Sequence, residues 1–186
     1  KGGVNLRAWF GSERYSEDLD LDVVSGESYL LRDRVDAVLS SSMFQTLLKS
    51  QELQINRISK PKQTETTQRW KFEITTTSSR LPLHTKVEFS RRGSDEPYTL
   101  DPVRSEVVRP YGLPAPTVHH YTAVAALRQK ITALAGRREP QARDVWDLEH
   151  LFRTTTADPR PLSSDVQKSV EIAMDRLLEM EFAIFQ

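Results

Sequence analysis

The stretch Ser16-Glu17-Asp18-Leu19-Asp20-Leu21-Asp22 alternates carboxylate and leucine with a period of two. Successive side chains of a strand point to opposite faces. The stretch therefore predicts a strand over Asp18 to Val24, with Asp18, Asp20 and Asp22 on one face. Leu19, Leu21 and Val23 then face a core. Stacked carboxylates repel one another unless a cation sits among them. Two outcomes satisfy the pattern: an exposed strand edge that tolerates repulsion, or a site for a divalent metal.

The rest of the chain is ordinary globular material. Of its 186 residues, 38% are hydrophobic and 28% charged, enough for one large domain or two small ones. It has no cysteine, which excludes disulfides and thiolate metal sites and fits a reducing cytoplasm. No apolar run is long enough to span a bilayer, and the first residues lack the apolar segment of a signal peptide. The start at Lys1, with a glycine pair at once, leads us to expect an upstream element before it. The 26 basic residues balance the 26 acidic ones, so no global field advertises nucleic acid. One local strip is basic, with Arg128, Lys130, Arg137, Arg138 and Arg143 against Glu139 alone. Such a strip can bind phosphates while the whole protein stays neutral.

Periodicity and turn residues predict the following order. A short helix runs from Val4 to Phe10 and closes at Gly11-Ser12. The aspartate strand follows, then a longer helix from Tyr29 to Lys49. Strands cover Leu53 to Ile55, Trp70 to Ile74 and Thr85 to Ser90, with one more short strand over Arg104 to Val108. After Pro116 the pattern is helical, over Tyr121 to Ala135, Ala142 to Arg153 and Ser164 to Ile184. An α/β part spanning 1–115 is expected, followed by an all-helical part over 116–186.

Glycines let a backbone approach phosphate closely, and a helix N-terminus offers free N–H groups. Two aspartates one residue apart on a strand can share a divalent ion, and Mg²⁺ prefers carboxylate, phosphate and water oxygens. Gly2-Gly3 before a helix, then Asp18 and Asp20, make half of a nucleoside-triphosphate site. The adjacent His119 and His120 point apart and have no third ligand spaced nearby, so no metal is expected there. Trp146, Leu148, Leu151 and Phe152 read as core, and Asp147 reads as structural.

The glycine pair, short helix and Arg14-x-Ser16-x-Asp18-h-Asp20 together resemble the first motif of the DNA polymerase β-like nucleotidyltransferases. More closely, KGG…RYSEDLDLD resembles the AbiEii-type nucleotidyltransferase toxins of bacterial type IV toxin–antitoxin systems, whose MenT relatives modify tRNA. Lys86 to Ser90 (KVEFS) is similar to the second motif. Lys130, in ALRQKITALAGR, stands where the family has its nucleotide-contacting lysine. Arg138 to Leu148 (REPQARDVWDL) resembles the R-x-x-x-x-R-D-h-x-D-L signature that follows.

The resemblance implies a fold and a set of roles. The fold is a mixed sheet with flanking helices, followed by helices. Asp18, Asp20 and Glu88 hold Mg²⁺ or Mn²⁺, and Glu88 serves as a base for the acceptor hydroxyl. Gly2, Gly3, Arg14 and Ser16 contact the triphosphate. Lys130 neutralises phosphate charge, and Asp144 orients Lys130 or the nucleotide. The implied reaction moves a nucleoside monophosphate from an NTP to a hydroxyl of tRNA or another RNA, as a toxin with a cognate antitoxin. The basic strip would serve the triphosphate and the acceptor's phosphates. Val4, where relatives carry Thr or Ser, and Arg128-Gln129 before Lys130 keep two alternatives open. One is a binding module of the same fold with weakened catalysis. The other is transfer to a small molecule or a protein.

Overall fold

In this computed structural model, residues 1–93 and 95–180 are described. They form two compact units, one made of Ser16–Asp95 and the other of Lys1–Tyr15 with the chain from Glu96 onward. The sequence reading divides the chain once, after residue 115; packing instead groups the N-terminal helix with the C-terminal ones.

The first unit is built on a four-stranded mixed sheet. Its strands are β1 (Asp18–Asp22), β2 (Leu53–Gln63), β3 (Thr67–Thr76) and β4 (Ser79–Ser90), in the order β1-β4-β3-β2. β1 runs parallel to β4, while β3 is antiparallel to both β4 and β2. Strands β2 to β4 are longer than their apolar cores suggest, because polar Thr, Lys and Gln residues extend both hairpins. Alternation then divides the sheet into two faces. Trp70 and Phe72 are buried on one, while Lys71 between them is exposed.

Two helices serve the apolar side, α2 (Ser28–Ser40) and α3 (Ser42–Ser50). The single helix expected over Tyr29 to Lys49 is broken at Ser41. Its extended backbone caps α3, and its hydroxyl accepts from the Phe44 N–H at 3.2 Å. Serine competes with helical hydrogen bonding in this way and favours caps. Asp36 of α2 fastens the helix to the sheet. It accepts from the Trp70 indole N–H at 3.0 Å and pairs with Lys60 at 2.5 Å.

The second unit holds α1 (Gly2–Phe10), α4 (Ser105–Val108), α5 (Ala123–Gly136), α6 (Ala142–Thr154) and α7 (Ser164–Glu179). It also holds the two-stranded antiparallel sheet β5 (Tyr98–Pro102) and β6 (Thr117–Tyr121). Its core joins Leu6 of α1 to Leu127, Ile131 and Leu134 of α5, Leu148 and Leu151 of α6, and Ala173 of α7. Gly11 closes α1 in the left-handed region at φ 71°, and a Cβ there would meet the Arg104 guanidinium at 2.7 Å. Only glycine combines that backbone with that contact.

Four expectations need correction here. Residues Arg104 to Val108 are not a strand; Ser105–Val108 is a short helix, and the neighbouring strand is β5. The chain after Pro116 is not all helical, since it opens on β6. Gly2 and Gly3 do not precede α1 but form its first turn. The last helix is described to Glu179, and its expected continuation to Ile184 lies outside the described residues. Trp146 and Phe152, read as core, are about half exposed.

Candidate active site

The aspartate face is built by strand register. Parallel pairing sets Asp18 opposite Lys86, Asp20 opposite Glu88 and Asp22 opposite Ser90. Residues opposite one another share a face, so the carboxylates of Asp18, Asp20 and Glu88 all lie on the polar side of the sheet. The start of β1 is fixed by the Thr85 hydroxyl donating to the Glu17 carbonyl. Its end is fixed by the Val23 N–H donating to the Ser90 carbonyl at 2.8 Å. The Ser16 hydroxyl donates to the Asp18 carbonyl at 3.0 Å, so it shapes the strand's entry.

Each outer acid has a cation. Asp18 pairs with Lys86 at 3.1 Å. Glu88 accepts from Arg69 at 2.5 Å, through Oε2. Among the described residues, no three Asp, Glu or His side chains converge as a ready metal cluster. The donor chemistry nevertheless fits a hard divalent ion. Magnesium needs only one or two carboxylates when substrate phosphates and water complete its shell. Asp18 and Asp20 supply these.

The second unit carries a different cluster. Asp144 and Asp147 are three residues apart on α6 and both are fully buried. Asp147 receives Arg14 through two hydrogen bonds, Nε at 3.0 Å and Nη2 at 2.8 Å, and Lys130 Nζ at 2.5 Å. Asp144 pairs with Arg137 and lies 3.9 Å from Lys130 Nζ. Two buried carboxylates thus face three cations, Arg14 from the segment before β1 and Lys130 and Arg137 from α5 and its C-cap. A two-bonded arginine–carboxylate pair is among the stronger polar contacts and fixes orientation as well.

This geometry redistributes the expected roles. Lys130 and Asp144 do meet, but Asp147 is the nearer partner of Lys130. The sequence reading left Asp147 as structural. A signal was present: Asp144, Asp147, Leu148 and Leu151 follow the i, i+3, i+4, i+7 spacing of a buried helical stripe, with acids at two of its positions. Arg14 gives its guanidinium to Asp147 and to the Tyr15 carbonyl, 3.2 Å away. The basic strip is largely spent internally. Arg128 donates to the carbonyls of Pro159 and Pro161 and pairs with Glu96, while Lys130 and Arg137 serve the buried acids. His120 packs flat on Trp9, with ring centroids 4.2 Å apart, and its Nε2 lies 3.1 Å from Asp101.

Solved structures identify the class. The chain is similar to an H. pylori protein assigned as a nucleotidyltransferase, at a TM-score of 0.58 and 18% identity, over 98% of this chain and 75% of that one. It is also similar to JHP933 from Helicobacter pylori, at a TM-score of 0.50 and 16% identity, over 94% and 80% of the two chains. At such identities the likeness defines the nucleotidyltransferase fold. The sequence profile of the nucleotidyl transferase AbiEii toxins of type IV toxin–antitoxin systems matches residues 1–179. The chain belongs to that family. Membership implies a nucleotide substrate and an antitoxin partner. No curated protein matches the sequence. No helix among the described residues is long and apolar enough to cross a membrane.

Proposed function

We propose that the protein transfers a nucleoside monophosphate from an NTP to a hydroxyl of RNA, with tRNA the favoured acceptor, and that this transfer is its toxic activity in the bacterial cytoplasm. The observation that carries the reading is the register of β1 with β4, which puts Asp18, Asp20 and Glu88 on one polar face in a chain of this family. The acceptor oxygen bonds to the α-phosphorus, the bond to the β-phosphate breaks, and pyrophosphate leaves. Asp18 and Asp20 hold Mg²⁺ or Mn²⁺, which neutralises phosphate charge when bound. Glu88 Oε1, the oxygen that Arg69 does not hold, takes the hydroxyl proton. Gly2 and Gly3 offer the free N–H groups of the first turn of α1 to phosphate. Lys130, oriented by Asp147 and Asp144, adds positive charge. Arg14 acts through Asp147, and Ser16 through the strand entry.

Incubation with labelled NTPs, Mg²⁺ and total tRNA tests the proposal. Label transfer that Asp18→Ala abolishes is the expected result; no transfer with any NTP or acceptor overturns it. The pairs Asp18–Lys86 and Glu88–Arg69 favour one other reading, a nucleotide-binding module without turnover. Calorimetry distinguishes it by NTP binding without pyrophosphate release.

A further inference from the structure

The sheet's polar face continues well beyond the acids. Register carries one row across all four strands: Asp20 opposite Glu88, Glu88 opposite Arg69, Arg69 opposite Lys62. A second row runs Asp18, Lys86, Lys71, Ser59. Arg57 follows on β2, opposite Glu73. The face is therefore acidic along β1 and mostly basic along the other three strands. Each row spans about 14 Å, from three strand spacings of roughly 4.8 Å. The inner cations Lys86 and Arg69 serve the acids. The outer ones, Lys62, Lys71 and Arg57, have no acidic partner within ion-pair distance among the described residues, and Lys71 and Arg57 are exposed.

Polar faces of sheets in contact with water commonly mix charges of both signs. Here Lys62, Arg57, Lys71, Arg69 and Lys86 outnumber Glu73 and Glu88 on β2 to β4, and of the strip from Arg128 to Arg143 that the sequence offered for acceptor phosphates, Arg128, Lys130 and Arg137 are engaged inside their own unit. We infer that the basic part of this sheet face is the track for the phosphodiester backbone of a single-stranded RNA segment, lying across β2, β3 and β4 toward the acids of β1. The partner is chosen by charge: a row of unpaired cations on a flat polar surface complements a chain of evenly spaced phosphates. The direction of the track, though not the binding itself, rests on the nucleotidyl-transfer reading.

The test uses the full chain and a fluorescein-labelled 12-nucleotide oligouridine, without NTP or metal. Anisotropy is followed from 50 to 200 mM salt. Lys62→Gln combined with Lys71→Gln should weaken binding on the order of tenfold and lower the slope of log affinity against log salt by about 1.4, from 0.7 per phosphate contact on single strands. Lys49→Gln, an exposed lysine of α3, serves as the control and should change neither quantity. Absence of binding by the unaltered chain overturns the inference, as does an unchanged slope in the double variant or an equal loss in Lys49→Gln. Binding that shows the expected losses in a protein that transfers no label upholds the track and sinks the transfer reading alone.

Discussion

Lys130 Nζ lies 2.5 Å from Asp147 Oδ2, and the carboxylate it meets is wholly shielded from solvent. Removing one member of a buried pair strands the other, at a cost of about 3–5 kcal/mol. Asp147→Asn should therefore lower unfolding free energy by that order in urea titrations. Lys130→Met should also destabilise. Combined, the two changes should cost less than their sum, because the Lys130–Asp147 contact is then lost once rather than twice, although Arg14 still loses Asp147.

The acids of β1 should behave in the opposite way. Asp18→Asn and Asp20→Asn leave the strand pairing intact, and a half-exposed pair such as Asp18–Lys86 is worth about 0–1 kcal/mol. Melting temperature should barely move. Label transfer should fall on the order of 10²–10³-fold, as when a group stabilising the transition state is lost. A large fall in melting temperature would assign these aspartates to stability instead.

Ser41 is the hinge between α2 and α3, and its hydroxyl satisfies the N–H of Phe44. Ser41→Ala should cost about 1 kcal/mol. Ser41→Asp should restore most of that loss. Denaturant midpoints of the three proteins provide the comparison.

Acid should act through Asp36. Burial raises its pKa, but hydrogen bonds from Lys60 and Trp70, with the nearby charges of Lys60 and Arg32, outweigh burial and hold it below the ordinary 3.8. A depressed carboxylate contributes stability that is present above its unfolded value and lost as pH falls through its folded one. Thermal stability should thus decline as pH drops below about 4. Asp36→Asn should flatten that part of the profile, and the Trp70 indole proton resonance should shift over the same range.

Local pattern explains what could be read from the sequence. The period of two over Asp18–Asp22 gave the strand and the shared side of its three aspartates, because alternation alone decides which side a residue takes. β5 and β6 escaped notice because prolines at 97, 102, 114 and 116 crowd them and read as loop. Val107 and Val108 suggested a strand by their branched side chains, yet they end a short helix in which Val107 N–H donates to the Arg104 carbonyl. Two apolar stripes in a row hid the break at Ser41. Helical spacing could mark Asp147 as buried but not name its partner, because Arg14 lies 133 positions earlier. Burial of an acid on α6 depends on a cation that only tertiary structure delivers.

The parallel seating of β1 against β4 has a consequence for synthesis on the ribosome. Asp20 and Glu88 are 68 positions apart, and β4 must emerge before β1 has a neighbour to pair with. Arg14 waits longer still, until α6 has left the exit tunnel and Asp147 can receive it. A nascent chain therefore carries the aspartates of β1 early but gains their fixed placement late, so a fragment released before β4 lacks the paired acid face.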